Sequence, residues 1–319
     1  MIDKVVLKKV VNKLNGDYSS LKLLGGFNDS VYEINVNGKS FVIKFFLMSQ
    51  TNKSLIKGEL DWISYLSENG MNVARPVFPI QDNFIKEISE NDYSYYYVIF
   101  EKVEGRFIDE EGWKKDLIKN WGQAMGKMHK LAKNYKPSCN NSIKKWIEND
   151  VLVDPPSLIT DLVLDKWNKY IEKIKSLPTS KDSYGIIHND LHHKNIYFNN
   201  GEAILFDFGD CEYSWFSYDI SISLYHAIQR IPLNQEEYRL DFANKFMKNF
   251  IIGYKLENSI DYSWLEEIEF FLDYRHIYSY LYILKHSKIN DTNNGLKEFV
   301  EKMKYRIEGE IPYLKGLNL

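Results

Sequence analysis

The chain is short of most features that would narrow its role at once. Cysteine occurs only twice in 319 residues, as Cys139 and Cys211. Two thiols in a chain of this length make no disulfide framework, and the count favours a reducing, cytoplasmic compartment. No uncharged apolar run is long enough to span a bilayer; the longest, residues 95–100, suits a buried strand. The first residues, Met1-Ile2-Asp3-Lys4-Val5-Val6, lack the apolar core of a secretion signal. Basic charge is not in excess either. A net charge of −3 leaves no electrostatic footprint for nucleic acid as a partner. Internal repeats and low-complexity tracts are absent, and nothing in the composition bears on oligomeric state.

What is present is informative in one place above all. His188-Asn189-Asp190-Leu191-His192-His193-Lys194-Asn195 reads H-x-D-x-x-x-x-N, and Asp207-Phe208-Gly209 follows closely. These match the two halves of a phosphoryl-transfer site. Such chemistry needs one Asp to orient the attacking hydroxyl and accept its proton. An Asn and a second Asp must hold Mg²⁺ on the nucleotide phosphates. That assigns Asp190 to the first task, and Asn195 and Asp207 to the metal. The connecting segment predicts a hairpin. Ile196-Tyr197-Phe198 and Ala203-Ile204-Leu205-Phe206 flank Asn199-Asn200-Gly201, and Asn-Gly is a strong turn signal.

The surrounding pattern predicts an α+β, two-lobed arrangement. Residues 21–24, 30–36, 40–47 and 93–100 read as strands, interrupted by one helix over 54–68 that Asn69-Gly70 closes. After Gly105 the pattern is helical over 109–133, 158–176, 234–253, 262–286 and 292–308. A small sheet lobe (1–104) would bind nucleotide, and a larger helical lobe (105–319) would carry the catalytic loop. Residues 100–105 form the hinge, with the nucleotide expected in the cleft between the lobes.

A cation for the phosphates is offered by Lys44, which interrupts the apolar strand Phe41-Val42-Ile43-Lys44-Phe45-Phe46. A strand lysine is often an edge residue with its ammonium in water; apolar neighbours on both faces argue for burial, which demands a partner. Glu59 lies three after Ile56 and four before Ile63, on the inward face of the predicted helix, and is the economical partner. Leu24-Gly25-Gly26-Phe27-Asn28-Asp29-Ser30 offers backbone N–H groups to an anion, although it is not G-x-G-x-x-G.

Taken together, these residues resemble the aminoglycoside phosphotransferase and choline kinase family, which has the protein-kinase-like fold. Asp207 to Phe216 is most similar to the branch of homoserine, methylthioribose and bacterial stress-response kinases. The resemblance runs over nearly the whole chain, including Met125-Gly126-Lys127-Met128-His129 and Ser217-Tyr218-Asp219-Ile220. It implies a bilobal fold with a small antiparallel-sheet lobe, one key helix and a larger mainly helical lobe. It implies ATP or GTP as donor with Mg²⁺. Lys44 braced by Glu59 would contact the phosphates under the Gly25, Gly26, Asn28 and Ser30 loop. The Glu101 carbonyl and Val103 N–H would bind the purine edge, with Phe100 limiting pocket depth. His188 would support the catalytic loop and Asp219 would anchor it from behind. Two departures stand out: Asn189 replaces the usual Gly, and His193-Lys194 replaces Pro-Gly.

The acceptor is expected to be a small molecule bearing a hydroxyl. His192 stands where protein kinases place a Lys, and Asp219 follows Asp207 by twelve residues (219 − 207) with no Ala-Pro-Glu between. A Ser/Thr protein kinase of the stress-response type and a catalytically silent nucleotide-binding module are the alternatives. Beside Asp210, the stripe Glu266, Glu269, Asp273 and His276 reads either as a cradle for a cationic substrate or as a solvated helix face. Tyr274, Tyr278, Tyr280 and Tyr282 read either as a cation–π box or as core.

Overall fold

The computed structural model describes residues 2–26, 29–77, 83–91, 93–138, 141–287 and 294–319. The chain forms two compact units. The first comprises Met1–Arg106, Tyr135–Ile143 and Ile204–Gly209; the second comprises Phe107–Asn134, Lys144–Ala203 and Asp210–Leu319. Their division is therefore not a single cut in the chain.

In the first unit α1 (Lys4–Lys13) precedes the strands β1 (Gly16–Gly25), β2 (Val31–Val36) and β3 (Lys39–Leu47). Next come α2 (Lys53–Glu68), β4 (Pro76–Val77), β5 (Lys86–Glu90) and β6 (Tyr93–Glu101). The sheet is antiparallel in the order β1-β2-β3-β6-β4, with β5 also paired to β6. Alternation sends Tyr32, Ile34, Ile43, Phe45, Tyr95, Tyr97 and Ile99 to one face, where Val6, Val10 and Val11 of α1 cover them. Sequence reading expects a single helix in this region, so α1 is a correction. Its apolar residues 6, 7, 10 and 11 do have helical spacing. The opposite parity puts Lys44 on the other face of the sheet. There α2 begins at its Asn52 cap, whose side chain accepts the Ser54 N–H, and buries Ile56, Glu59, Ile63 and Leu66. Residues 135–138 and 141–143 return to this helix: Tyr135 and Ser138 both donate to Asp61, and a Cβ at Gly58 would lie 2.1 Å from the Ser142 carbonyl.

The second unit opens with α3 (Ile108–Glu111) and α4 (Lys115–Ala132). Gly112 and Trp113, both at positive φ, break what the sequence suggests is one helix. Then follow β7 (Lys144–Lys145), α5 (Asp150–Val153), α6 (Asp161–Ser176) and β8 (Tyr184–Ile187). β9 (Ile196–Asn199) and β10 (Glu202–Leu205) pair as the expected hairpin, with Asn200 at φ 49° and Gly201 at φ 86°. Positive φ at both central residues is the type I′ turn that suits strand twist. The tip is tied down by Asn120, whose Nδ2 donates to the Gly201 carbonyl at 2.7 Å. β11 (Glu212–Trp215) lies between β8 and β7, antiparallel to the first and parallel to the second.

The remaining helices are α7 (Phe216–Gln229), α8 (Glu236–Tyr254), α9 (Tyr262–Glu266), α10 (Ile268–His286) and α11 (Asn294–Glu308). α7 is absent from the sequence reading for a physical reason. It is buried on nearly every side, so its sequence has no polar face to set a helical period. α4 and α8 pack backbone against backbone: a Cβ at Gly122 would lie 2.0 Å from the Phe250 carbonyl, and one at Gly253 would lie 1.8 Å from that of Lys119. Among the described residues no helix is long and apolar enough to cross a membrane.

Candidate active site

In the first unit the ionic chemistry gathers on β3. Lys44 Nζ reaches Asp207 Oδ1 at 2.8 Å and Glu59 Oε1 at 3.3 Å. The Glu59 side chain is 7% exposed and that of Asp207 is 45% exposed, so one ammonium is shared between a buried and an open carboxylate. Burial pushes the Glu59 carboxyl up, while the Lys44 charge beside it pulls the other way. Residues 204–209 reach this unit through backbone bonds: Leu205 donates to the Asn72 carbonyl at 3.0 Å, and its own carbonyl receives the Ala74 N–H at 3.0 Å. Gly209 leaves room for the lysine, because a Cβ there would lie 2.5 Å from Lys44 Nζ.

The β1–β2 turn needs glycine at Gly26, which has φ 79° and whose Cβ would lie 2.5 Å from Val31 Cγ2. Gly25 ends β1, and the Ser30 carbonyl accepts the Phe45 N–H at 2.9 Å, tying the turn to β3. Asn28 lies outside the described residues. Near the end of β6, Phe100 is buried between Val42 and Pro76. The Glu101 N–H donates to the Arg75 carbonyl, and its carboxylate takes Arg75 Nε and Nη2, each at 3.1 Å. Val103 follows outside the strand, half-buried.

In the second unit the loop from His188 to Asn195 leaves β8 over a buried carboxylate. Asp219, in the first turn of α7, accepts the His188 N–H at 3.0 Å and the Asn189 N–H at 2.9 Å. His129 Nε2 lies 3.0 Å from the same carboxylate, and its Nδ1 lies 2.9 Å from the Tyr254 hydroxyl. Burial lowers the His129 pKa against the pull of Asp219. The neutral ring therefore donates from Nε2 and accepts the tyrosine hydroxyl at Nδ1. Asn189 has φ 65°, a left-handed conformation that Asn tolerates better than most residues, and its Nδ2 donates to the Asp210 carbonyl at 3.1 Å. These bonds hold the loop where the resembling family has glycine.

Asp190 is surrounded by donors. Asn195 Nδ2 reaches its Oδ2 at 3.2 Å and its carbonyl at 2.9 Å; His192 Nε2 lies 3.4 Å from Oδ2. Arg275 Nη2, from α10, reaches Oδ1 at 3.1 Å, with His226 Nε2 at 3.8 Å. Burial alone would raise this carboxyl. Hydrogen bonding and charge from His192, with the charge of Arg275, outweigh it and hold the group below the usual carboxylate range. Arg275 is the permanent cation among them. Burial, with Arg275 beside it, drives His226 down to about 3, so its neutral Nε2 accepts from Arg275 Nη2 at 3.4 Å while Nδ1 faces Gln229 at 3.1 Å. The buried His188 accepts the Asp190 N–H at Nδ1, 3.4 Å away.

The second departure from the family pattern also has its compensation. Lys194 Nζ lies 2.9 Å from Asp109 Oδ2 and over the Phe107 ring, and His193 Nε2 lies 3.6 Å from the same oxygen. His193-Lys194 thereby fastens the loop to α3.

The polar stripe of α10 requires a correction. Glu269 Oε1 accepts the Gly316 and Leu317 N–H groups, both at 2.7 Å. Asp273 accepts the Tyr313 N–H at 2.6 Å and the Tyr170 hydroxyl at 3.3 Å. His276 is buried, with Nδ1 3.2 Å from the Tyr225 hydroxyl. These three form neither a substrate cradle nor a solvated face; they latch the C-terminal segment. Tyr274 and Tyr280 are core, Tyr274 stacking on Trp167 at 5.7 Å. Tyr278 instead lies under the Arg275 guanidinium at 5.5 Å and receives Asn149 Nδ2 at 2.8 Å. Asp210 is exposed, whereas Glu212 is buried and pushed up to about 8 by burial, with Asp210 adding to the shift.

Arg275 and His226 are not singled out by sequence reasoning. Arg275 carries the same signal that found Glu59: it follows Phe271 by four and Leu272 by three, on the apolar face of its helix.

A strand lysine braced by a helix glutamate, with an H-x-D-x-x-x-x-N loop in a helical unit, is the equipment of a protein-kinase-like phosphotransferase. The comparisons carry this further. The chain belongs to the phosphotransferase enzyme family (APH), whose profile matches residues 20–255. It is 29% identical over 315 residues to amicoumacin kinase of Bacillus subtilis (strain 168), covering 97% of this chain and 93% of that one. The solved amicoumacin kinase hAmiN, in complex with AMP-PNP, Ca²⁺ and Ami, superposes with a TM-score of 0.88 at 29% identity, covering 100% of this chain and 96% of that one. A microcompartment-associated aminopropanol kinase shares the fold at a TM-score of 0.76 and 16% identity, with 96% and 97% covered. The protein is thus a kinase that moves phosphate from a nucleotide to a small-molecule hydroxyl.

Proposed function

We propose that the protein transfers the γ-phosphoryl of ATP, with GTP as the other candidate donor, to the hydroxyl of a small amine-bearing alcohol, with Mg²⁺ on the phosphates. The Asp190 carboxylate carries this reading, being kept ionised at the centre of a loop fixed from behind by Asp219. In it, Asp190 accepts a hydrogen bond from the acceptor hydroxyl and aims its oxygen in line at the γ-phosphorus. It takes the proton as the bond to the β–γ bridging oxygen breaks. A carboxylate with a lowered pKa is a weak base, which suits orientation and late proton uptake at a loose transition state.

Lys44 binds the phosphates, and Glu59 keeps its ammonium in place when the phosphates draw on it. Gly25, Gly26, Asn28 and Ser30 supply the covering loop. Phe100 bounds the base pocket, where the Glu101 carbonyl and Val103 N–H meet the purine edge. Asp207 and Asn195 carry hard oxygen donors of the kind Mg²⁺ takes. When bound, that ion neutralises charge on the phosphoryl oxygens. His188 supports the loop. Asp210, exposed just after the Asp-Phe-Gly segment, is the carboxylate assigned to the acceptor's amine; the relatives named for amicoumacin and aminopropanol support that acceptor class. The cytosol, with its ATP and Mg²⁺, is the compartment this reading implies.

The test is a nucleotide-consumption screen with Mg²⁺ across amicoumacin, aminopropanol, choline, an aminoglycoside, homoserine and methylthioribose. Asp190→Asn should lower turnover about a thousandfold while nucleotide still binds. Full activity in that variant removes the role given to Asp190. Label transfer to protein alone would select a protein kinase, and nucleotide binding without turnover on every acceptor would leave a binding module.

A further inference from the structure

Arg275 is 8% exposed, and a buried guanidinium is costly unless its donors are used. Its two terminal nitrogens reach the catalytic loop, and Nη2 also donates to His226 Nε2 at 3.4 Å. Nη2 donates to Asp190 Oδ1 at 3.1 Å and Nη1 to the Asn189 carbonyl at 3.3 Å. The Tyr278 ring lies beneath the cation at 5.5 Å, and the buried Tyr218 hydroxyl is beside it. Its own helix is held by Ile268, Phe271 and Leu272, all buried. The guanidinium therefore cannot swing away without leaving a charge uncompensated.

The two oxygens of Asp190 are unequal as a result. Oδ1 is held by the permanent cation of Arg275 at 3.1 Å; Oδ2 is met by the Asn195 amide at 3.2 Å and the His192 imidazole at 3.4 Å, both longer contacts than the guanidinium's. The second bond of the fork ends on the carbonyl of Asn189, a non-glycine residue at φ 65°. A left-handed conformation at such a residue persists only where its surroundings hold it. One side chain thus fixes both the carboxylate and the turn that presents it.

We propose that Arg275 is a positioning residue for phosphoryl transfer, holding Asp190 Oδ1 and the Asn189 carbonyl in one fork so that Oδ2 receives the acceptor hydroxyl. The proposal rests on the assignment of Asp190 as the residue that orients the acceptor. Neither the carboxylate alone nor a point charge on a flexible stem would give the same aim, because only a planar fork fixes two oxygens at once.

Two variants and a chemical rescue test it, with ATP and the panel acceptor that the wild type phosphorylates fastest. Arg275→Ala should lower kcat about a hundredfold while the KM for ATP stays within about threefold, since a misaimed carboxylate costs rate rather than nucleotide affinity. Millimolar guanidinium, far below denaturing levels, should restore about tenfold of the lost rate by filling the vacated site. Arg275→Lys, which keeps the charge without the fork, should melt like the wild type and lose about tenfold in kcat. It carries the test if the alanine variant does not fold. The proposal is overturned if Arg275→Lys or Arg275→Ala turns over at the wild-type rate while Asp190→Asn is inactive. It is also overturned if the loss falls equally on ATP binding and guanidinium restores nothing, the pattern of a prop for the fold. An active Asp190→Asn would remove the underlying assignment instead, and is read separately.

Discussion

In the first unit one ammonium, Lys44, is divided between two carboxylates; in the second one carboxylate, Asp190, is ringed by a guanidinium, an amide and two imidazoles. In the first cluster one ammonium serves two acids, the buried Glu59 and the more exposed Asp207. Such an acid-rich cluster suits a divalent cation. In the second, Arg275 is the permanent cation, His226 being neutral near pH 7. That cluster suits a neutral guest such as a hydroxyl. The contrast teaches that a site can be read by its residual charge as well as by its residue types.

The sharpest way to break the contrast is to remove the shared cation. Lys44→Met should lower kcat/KM for ATP by about 10²–10³-fold, the cost of losing one cation aimed at a phosphoryl group. The Asp190 cluster should be untouched, so weak acceptor binding measured by calorimetry should persist. Equal loss of both would deny that the two clusters act separately. Next in size is Asp219→Asn, which removes one acceptor from under the loop without changing any charge next to Asp190. One of the His188, Asn189 and His129 donors is then orphaned, a loss of about 1–3 kcal/mol in chemical denaturation. An unchanged midpoint would show that the loop does not need its platform.

Glu212 supplies a pH-dependent measure. Its folded carboxyl is raised to about 8 from a usual 4.5, so protonation favours the folded state. Its stabilising contribution is full below about pH 4.5 and is lost as pH rises through about 8. Between those limits the wild type should lose a few kcal/mol that Glu212→Gln does not lose. Parallel curves for the two proteins would place the titration elsewhere. The smallest effect belongs to Lys194→Met, which should cost under about 1 kcal/mol because its partner Asp109 is partly exposed.

Much of the site is legible in the sequence alone. Residues 188–195, the Asn200-Gly201 turn and the pairing of Lys44 with Glu59 all follow from short-range patterns, a motif spacing, a dipeptide and an acid on an apolar helix face. What was hidden is of two kinds. α7 is enclosed on nearly every side, so its residues alternate with nothing and give no period. The α10 acids looked like surface because their partners, the backbone N–H groups of residues 313–317, lie about forty residues downstream and carry no side-chain signature. Arg275 lies between these cases. Its helix position marked it as inward-facing, and only the three-dimensional route from α10 to the loop shows what it faces.

The scattered composition of the first unit has a consequence for how the protein is made. Asp61 waits for Tyr135 and Ser138, and the backbone around Val73 waits for Leu205. A nascent chain that has emerged only through Arg106 lacks both clasps. At about 5–20 residues per second, the ribosome needs roughly five to twenty seconds more to deliver residue 209, and during that interval the amino-terminal sheet is an unfinished structure. Chaperone capture during synthesis should therefore peak in that interval, and a rare-codon pause placed before codon 204 should lower the soluble yield.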